Sequence, residues 1–258
     1  MRFYKYEALG NDYVLLDNRE GRIPEQQKLG LAKKLCDRRH GIGSDGLLLV
    51  EGDGTRMRMF NPDGSEAEMC GNGIRCFVRY LHDHVEERGV EERGEYTIQT
   101  AAGSQRVGVD GGSITVAMPE PVDGGEVELE VLGNALIFKR VSVGNPHAVI
   151  FKAFENWREL GEIVENDPNF PDRTNVEFVE IADMNSCRIS VWERGAGPTP
   201  ACGTGAVASC FAGVSDGRLE RDTWIRAEMP GGALEVSIGK DALIRGPATE
   251  VFSGEKTI

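Results

Sequence analysis

Cys70-Gly71-Asn72-Gly73-Ile74-Arg75-Cys76 and Cys202-Gly203-Thr204-Gly205-Ala206-Val207-Ala208 are two versions of one pattern, 132 residues apart. Each follows a strand-like run that ends in an aromatic residue ten positions earlier, Met57–Phe60 in one case and Ile189–Trp192 in the other. Other landmarks recur in the same order at nearly the same offset. Leu9-Gly10-Asn11-Asp12 matches Val143-Gly144-Asn145-Pro146, and Asp45–Val50 matches Thr174–Val179. Gly103 and Gly232 each open an alternating run, and Pro119 matches Pro247. Self-similarity at a fixed spacing is the sequence mark of a duplicated unit. The expected architecture is therefore α+β, with two pseudo-symmetric homologous halves. Each half is a strand-rich sheet or barrel wrapped around a central helix, and the active site is expected in the cleft between them. The boundary is expected near residue 120, in the Pro- and Gly-bearing stretch Pro119–Gly125. That gives halves 1–120 and 121–258, with the extreme C-terminus packing back on the first.

Period-two alternation marks Ser113–Met118 and Ala233–Ile238 as strands. The central helices are expected over Gly73–Leu81 and Gly205–Ala212. The second is apolar nearly all round, as a buried helix must be. Peripheral helices are expected near Gln26–Arg38 and Trp157–Asn166, and the charged run Glu86–Glu95 as a solvated loop or helix end.

A cysteine at the start of a helix sits where unpaired backbone amides and the helix dipole favour negative charge, a setting that lowers a thiol's pKa. The glycines beside it let a small anion reach those amides. Two such sites facing one another would place a thiol on each face of a small carboxylate. That arrangement suits inversion at a carbon bearing hydrogen: one thiolate removes the proton while the opposite thiol returns one. Two facing thiolates repel, so the pair should titrate as a unit sharing one proton. Much of the transition-state stabilisation must come from preorganised dipoles, which two helix starts supply without a cofactor.

Composition excludes several other classes. With 29 Lys and Arg against 42 Asp and Glu, the net charge of −13 argues against nucleic acid or an anionic membrane as partner. There is no apolar run long enough for a signal peptide or a membrane span, so the expected compartment is the cytoplasm, with the six cysteines reduced. No spacing of Cys and His fits zinc, no Gly-rich phosphate loop is present, and no feature demands pyridoxal phosphate. Cys36, Cys76, Cys187 and Cys210 read as core filler.

The chain resembles the diaminopimelate epimerase family through Leu9–Asp12, Gly41–Gly46, Phe60-Asn61, Glu68–Cys76, Gly144–His147, Trp192–Gly197 and Ala201–Ala206. The resemblance implies cofactor-free interconversion of LL- and meso-diaminopimelate in lysine and cell-wall precursor synthesis, by a homodimer. It makes Cys70 and Cys202 the two catalytic bases. It makes Asn11, Asn61, Asn145, Asn175, Glu193 and Arg194 substrate contacts, and Gly71, Asn72, Gly203 and Thr204 the carboxylate cradle. Arg194 would grip the distal carboxylate, which a guanidinium fork binds in bidentate fashion. His147 and Glu193 would orient or polarise the thiols. Pro198 departs from the family, which usually has an acid there.

From the residues alone, Asn11 and Asn145 read first as turn residues beside glycine, and Asn61 and Asn175 read as caps of local backbone as readily as ligand contacts. Glu193-Arg194 also reads as a solvated surface pair, and His147 as an ordinary hydrogen-bonded histidine. The rival activities are a proline or hydroxyproline racemase, which typically carries His where Asn72 stands, and a thiol-redox or binding protein.

Overall fold

A computed structural model describes residues 1–67, 70–85 and 93–257. The chain divides into two compact units: Met1–Val116 with Gly246–Ile258, and Ala117–Arg245.

The first unit begins with a hairpin of β1 (Arg2–Ala8) and β2 (Asn11–Asp17), whose turn places Gly10 in the left-handed region at φ +83°. Helix α1 (Glu25–Cys36) crosses over to β3 (Gly46–Glu51), which pairs with β2 in parallel, Tyr13 opposite Gly46. β3 turns back into antiparallel β4 (Arg56–Phe60), and the two-residue strand β5 (Glu66–Ala67) pairs with its end. Helix α2 (Gly71–His84) then leads to β6 (Arg93–Thr100), which joins β4 in parallel at Arg56 and Gln99. β6 continues antiparallel into β7 (Gly103–Asp110) and β8 (Ser113–Met118). The C-terminal strand β18 (Thr249–Glu255) closes the other edge against β1, Arg2 opposite Glu255.

The second unit repeats this circuit element for element. β9 (Val122–Val131) pairs with β10 (Asn134–Ser142), and β10 with β11 (Pro146–Ile150), both antiparallel. Helix α3 (Trp157–Glu165) crosses to β12 (Asn175–Asp183), parallel to β11 with His147 opposite Asn175. β13 (Ser186–Glu193), the short β14 (Gly197–Pro198) and helix α4 (Gly203–Ser215) follow. β15 (Ile225–Met229) then joins β13 in parallel, and β16 (Gly232–Ile238) and β17 (Ala242–Pro247) complete the meander. The duplication seen in the residues is thus a duplication of strand pairings and crossovers. The paired landmarks Gly103 and Gly232, at φ +102° and +135°, make equivalent hairpin turns.

In each unit the central strands bury both faces. In the first, Val14, Leu16, Leu47 and Leu49 pack with Leu31, Ala32 and Leu35 of α1. On the other face Leu48 and Met59 approach Gly73 of α2. In the second, Ala148, Ile150, Val176 and Phe178 pack with Leu160 and Val164 of α3, and the alternate residues turn toward α4. A strand buried on both sides reads as an unbroken apolar run, as Leu47–Val50 does. Where such a strand carries a polar residue toward the central helix, that residue has a reason to be there.

The central helices are longer than their expected apolar cores, 71–84 rather than 73–81 and 203–215 rather than 205–212. They start directly at the cysteines, because Cys70 and Cys202 are extended N-caps (φ −139° and −130°) and the glycines already belong to the first turn. The peripheral helices occupy Glu25–Cys36 and Trp157–Glu165. The four cysteines read as filler are all buried, and all six thiols are free. Most of the charged run Glu86–Glu95 lies outside the described residues. No helix among the described residues is long and apolar enough to cross a membrane.

Candidate active site

In the first unit, Cys70 caps α2 and its carbonyl accepts the amide of Ile74 at 2.9 Å. Its sulfur, half-buried, lies 3.2 Å from the hydroxyl of Tyr13 on β2. Beside it, the Asn72 amide donates to the Asn11 side-chain carbonyl, and the Asn11 amide reaches Asp45 at 3.4 Å. Two expected site residues, Asn11 and Asn72, are therefore in direct contact. Asn72 is itself held by Arg75, whose guanidinium donates to the Asn72 side-chain oxygen at 2.9 Å and to the Gly71 carbonyl at 3.2 Å. A third bond from Arg75 reaches the Pro247 carbonyl at 3.3 Å. Asn61 is placed differently. It ends β4 and closes its own turn, with its backbone amide on the Ser65 carbonyl at 2.8 Å and its side chain on the Ser65 hydroxyl at 2.9 Å.

Behind Asn11, Asp12 is gripped by Lys5 at 2.7 Å and by Arg38 at 2.7 Å. Burial alone would raise the Asp12 carboxyl, but hydrogen bonds from Arg38 and Lys5 outweigh it and hold the group at about 2. This ion cluster fixes the turn that carries Asn11.

In the second unit, Cys202 caps α4, and its sulfur accepts the Gly205 amide at 3.4 Å and lies 3.4 Å from the Thr204 hydroxyl. The Asn145 amide reaches the same Thr204 hydroxyl at 3.4 Å. His147 is fully enclosed: one ring nitrogen lies 3.0 Å from the Asn145 side-chain oxygen and the other 2.7 Å from Glu177 Oε1. Glu193 accepts the Thr199 hydroxyl. Asn175 bridges two loops, donating to the Pro146 carbonyl at 2.8 Å and accepting the Arg194 backbone amide at 3.0 Å. The Arg194 guanidinium rests on the Asp172 carbonyl at 3.0 Å.

At Cys202 the pull of the helix start toward a lower thiol pKa is outweighed. Burial pushes the thiol well up, and the carboxylates of Glu193 and Glu177 add to the push against the smaller help of Thr204 and the Gly205 amide. Burial likewise raises the Glu193 carboxyl despite its bond from Thr199. Among the described residues no group of three or more His, Cys, Asp and Glu is arranged to hold a metal ion.

Sequence reasoning missed four residues here. Tyr13 and Glu177 sit on strands whose apolar neighbours hide them, and only strand parity shows that they face the central helices. Arg75 lies within the cysteine motif, where sequence alone gives it no role. Glu165, at the end of α3, receives the Trp192 indole at 2.7 Å, the Gly195 amide at 2.7 Å and the Arg173 guanidinium at 2.9 Å. It is the buried anchor of the Trp192–Gly197 loop, and nothing in its local sequence marks it.

Comparison with known proteins gives a consistent picture. The model of the family described as diaminopimelate epimerase matches residues 3–130 and 140–251. A diaminopimelate epimerase of Carboxydothermus hydrogenoformans is 43% identical, covering 99% of each chain. One of Desulfitobacterium hafniense is 40% identical, covering 98% of this chain and 97% of the relative. Among solved structures, a phenazine biosynthesis protein of Bacillus anthracis superposes with TM-score 0.77 at 18% identity, covering 100% of this chain and 99% of that one. A probable proline racemase of Agrobacterium radiobacter gives 0.72 at 14% identity, covering 100% of this chain and 93% of that one. At such identities these structures share the fold alone.

Proposed function

Because the chain belongs to the diaminopimelate epimerase family, we propose that it interconverts LL- and meso-diaminopimelate, without a cofactor, through Cys70 and Cys202. The observation that carries the two-base assignment is the repetition itself. In two units with the same circuit of strands, a cysteine caps the central helix at the same place, each beside an asparagine-bearing turn. In this reading one sulfur, as thiolate, takes the α-proton and becomes a thiol. The opposite thiol delivers its proton to the other face of the carbanion and becomes the thiolate, so one turnover exchanges the two roles. The α-proton is far less acidic than a thiol, so the developing charge must be met by groups already in place. The first amides of α2 and α4 lack intrahelical partners and suit the α-carboxylate. Gly71, Asn72, Gly203 and Thr204 line those starts.

Asn11, Asn61, Asn145, Asn175, Glu193 and Arg194 bind the remainder of the substrate. The distal ammonium takes side-chain amides and backbone carbonyls, and the distal carboxylate takes Arg194. His147 and Glu193 orient the second thiol. The division into a first-cysteine half and a second-cysteine half is part of the same reading. So are a place in lysine biosynthesis, a cytoplasmic location and a small-molecule substrate rather than nucleic acid or membrane. A homodimer completes it, for which the exposed apolar side chains Val251 and Phe252 on β18 supply candidate surface.

The test is proton exchange in D₂O. Wild-type protein should interconvert the two stereoisomers and place deuterium at one α-carbon, and Cys70→Ala and Cys202→Ala should each abolish interconversion. Full turnover by both variants would end the two-base assignment. Turnover of proline but not diaminopimelate would move the chain to the racemase activity.

A further inference from the structure

The repeated circuit allows the surroundings of the two cysteines to be compared position by position. β2 corresponds to β11, so Asn11 matches Asn145 and Tyr13 matches His147. β3 corresponds to β12. The registers Tyr13 opposite Gly46 and His147 opposite Asn175 therefore align Leu48 with Glu177. β4 corresponds to β13, and the residue after its terminal aromatic is Asn61 in one unit and Glu193 in the other. Counted from each cysteine along its helix, Arg75 matches Val207. At four equivalent positions, then, Cys70 has tyrosine, leucine, asparagine and arginine where Cys202 has histidine, glutamate, glutamate and valine.

The consequences for charge run in opposite directions. Arg75 is completely buried, and its hydrogen-bond acceptors are the neutral oxygens of Gly71, Asn72 and Pro247. Among the described residues no carboxylate lies within ion-pair distance of it. A buried cation without a counterion is costly unless an anion lies nearby. The Tyr13 hydroxyl, on a side chain with 2% exposure, has the Cys70 sulfur as its hydrogen-bond partner. Burial and the neighbouring Cys70 both raise the Tyr13 phenol, so it keeps its proton and is the donor when the sulfur is charged. The other titratable groups around this pair are Cys76 on α2, Glu7 on β1 and Asp45 before β3. Burial drives the Cys76 thiol above the ordinary range, so it stays neutral. Asp45 is already spent on Arg38 at 2.6 Å. Cys202, by contrast, has Glu177 and Glu193 as neighbours, and His147 is turned onto Glu177 and Asn145 rather than onto the sulfur.

We infer that the duplicated halves have diverged to hold opposite charge states: Tyr13 and Arg75 seat the negative charge on Cys70, and Glu177 and Glu193 keep the proton on Cys202. This rests on the reading that the two thiols share one proton. It makes Tyr13 a positioning residue that acts through Cys70. A hydrogen bond to a charged group is stronger than one to a neutral group, so the Tyr13 hydroxyl favours thiolate over thiol at that one sulfur.

The test follows alkylation by iodoacetamide across pH 5–10, with each cysteine-bearing peptide quantified by mass spectrometry. The pH midpoint is read rather than the rate, because restricted access slows alkylation equally at every pH; burial itself raises the Cys202 midpoint, so the variants carry the test as well as the wild-type order. Cys70 should be modified at a lower pH than Cys202. Tyr13→Phe, which keeps the ring, should move the Cys70 midpoint up, with at most a smaller, downward change at Cys202 because the pair is coupled. Glu193→Gln should act first on the other sulfur, lowering the Cys202 midpoint. An unmoved Cys70 midpoint in Tyr13→Phe, or a Cys202 midpoint below that of Cys70 in the wild type, overturns the inference. The assay contains no substrate, so an absence of epimerase activity would count against the proposed function and leave this result standing.

Discussion

Replacing Gly205 by alanine should destabilise the protein, although alanine is the better helix former. Gly205 is the third residue of α4, and a Cβ built there would lie 2.7 Å from Glu177 Oε1, 3.3 Å from Cys202 Cβ and 3.4 Å from the Cys202 sulfur. The carboxylate cannot easily retreat, since it is fully buried and held 2.7 Å from His147. Relief must come from a shift of the helix start or from loosening the His147–Glu177 pair. Overpacking of this kind costs about 1–3 kcal/mol, while glycine to alanine within a helix returns about 0.5–1 kcal/mol. The net expectation is a loss of about 1 kcal/mol, within a range of about 0–2.5 kcal/mol. Gly30 supplies the control. It is an exposed interior residue of α1 with no atom within 4 Å of its would-be Cβ. Gly30→Ala should therefore gain about 0.4–1 kcal/mol. Urea unfolding followed by far-UV circular dichroism compares the two midpoints directly. The signs should be opposite. A Gly205→Ala midpoint at or above that of the wild type would refute the claim that Glu177 is pinned against the start of α4.

Two further outcomes can be checked on the folded protein. Asp12 is held at about 2 in the fold against 3.8 when unperturbed, so its contribution is complete above about pH 4 and is lost as pH falls toward 2; urea midpoints of Asp12→Asn and wild type should differ at pH 7 and converge near pH 2, and an equal gap at both would remove Asp12 from the acid limb. In native protein, Cys36, Cys76, Cys187 and Cys210, all at 3% exposure or less, should resist a colorimetric thiol reagent until the chain is unfolded, with Cys70 the first to react; labelling of any of the four under native conditions would contradict the packing of the element that carries it, α1, α2, β13 or α4.

The fold was legible because a duplication multiplies weak signals. One Gly-Asn turn or one C-G-x-G says little; the same features in the same order twice specify a circuit of strands, and the circuit found is the same in both units. The cysteines and helix starts were legible for the same reason, since N-capping is a local property of a few consecutive residues. The side chains that tune the site were not. Tyr13 lies in the run Tyr13–Leu16 and Glu177 between Val176 and Phe178, so neither stands out by composition. Their roles depend on which face of a doubly buried strand each occupies, and a one-residue change of register would reverse it. Glu165 is harder still, because its partners come from β13, the loop after it and the loop before β12.

The same distinction explains why a helix N-terminus was an incomplete guide to thiol chemistry. The favourable field at a helix start is worth up to about 2 kcal/mol when partly buried. A single nearby carboxylate in a low-dielectric site can exceed that. At Cys202 the start of α4 is offset by burial and by Glu177 and Glu193, and the thiol rises. Duplication thus preserved the element that is local, the capped helix, while substitutions on strands facing it altered the charge around each sulfur. Chemistry that asks one thiol to be charged and its counterpart to be neutral gains from that divergence. Two halves kept identical at Tyr13/His147 and Leu48/Glu177 would give the sulfurs equal claims on a shared proton.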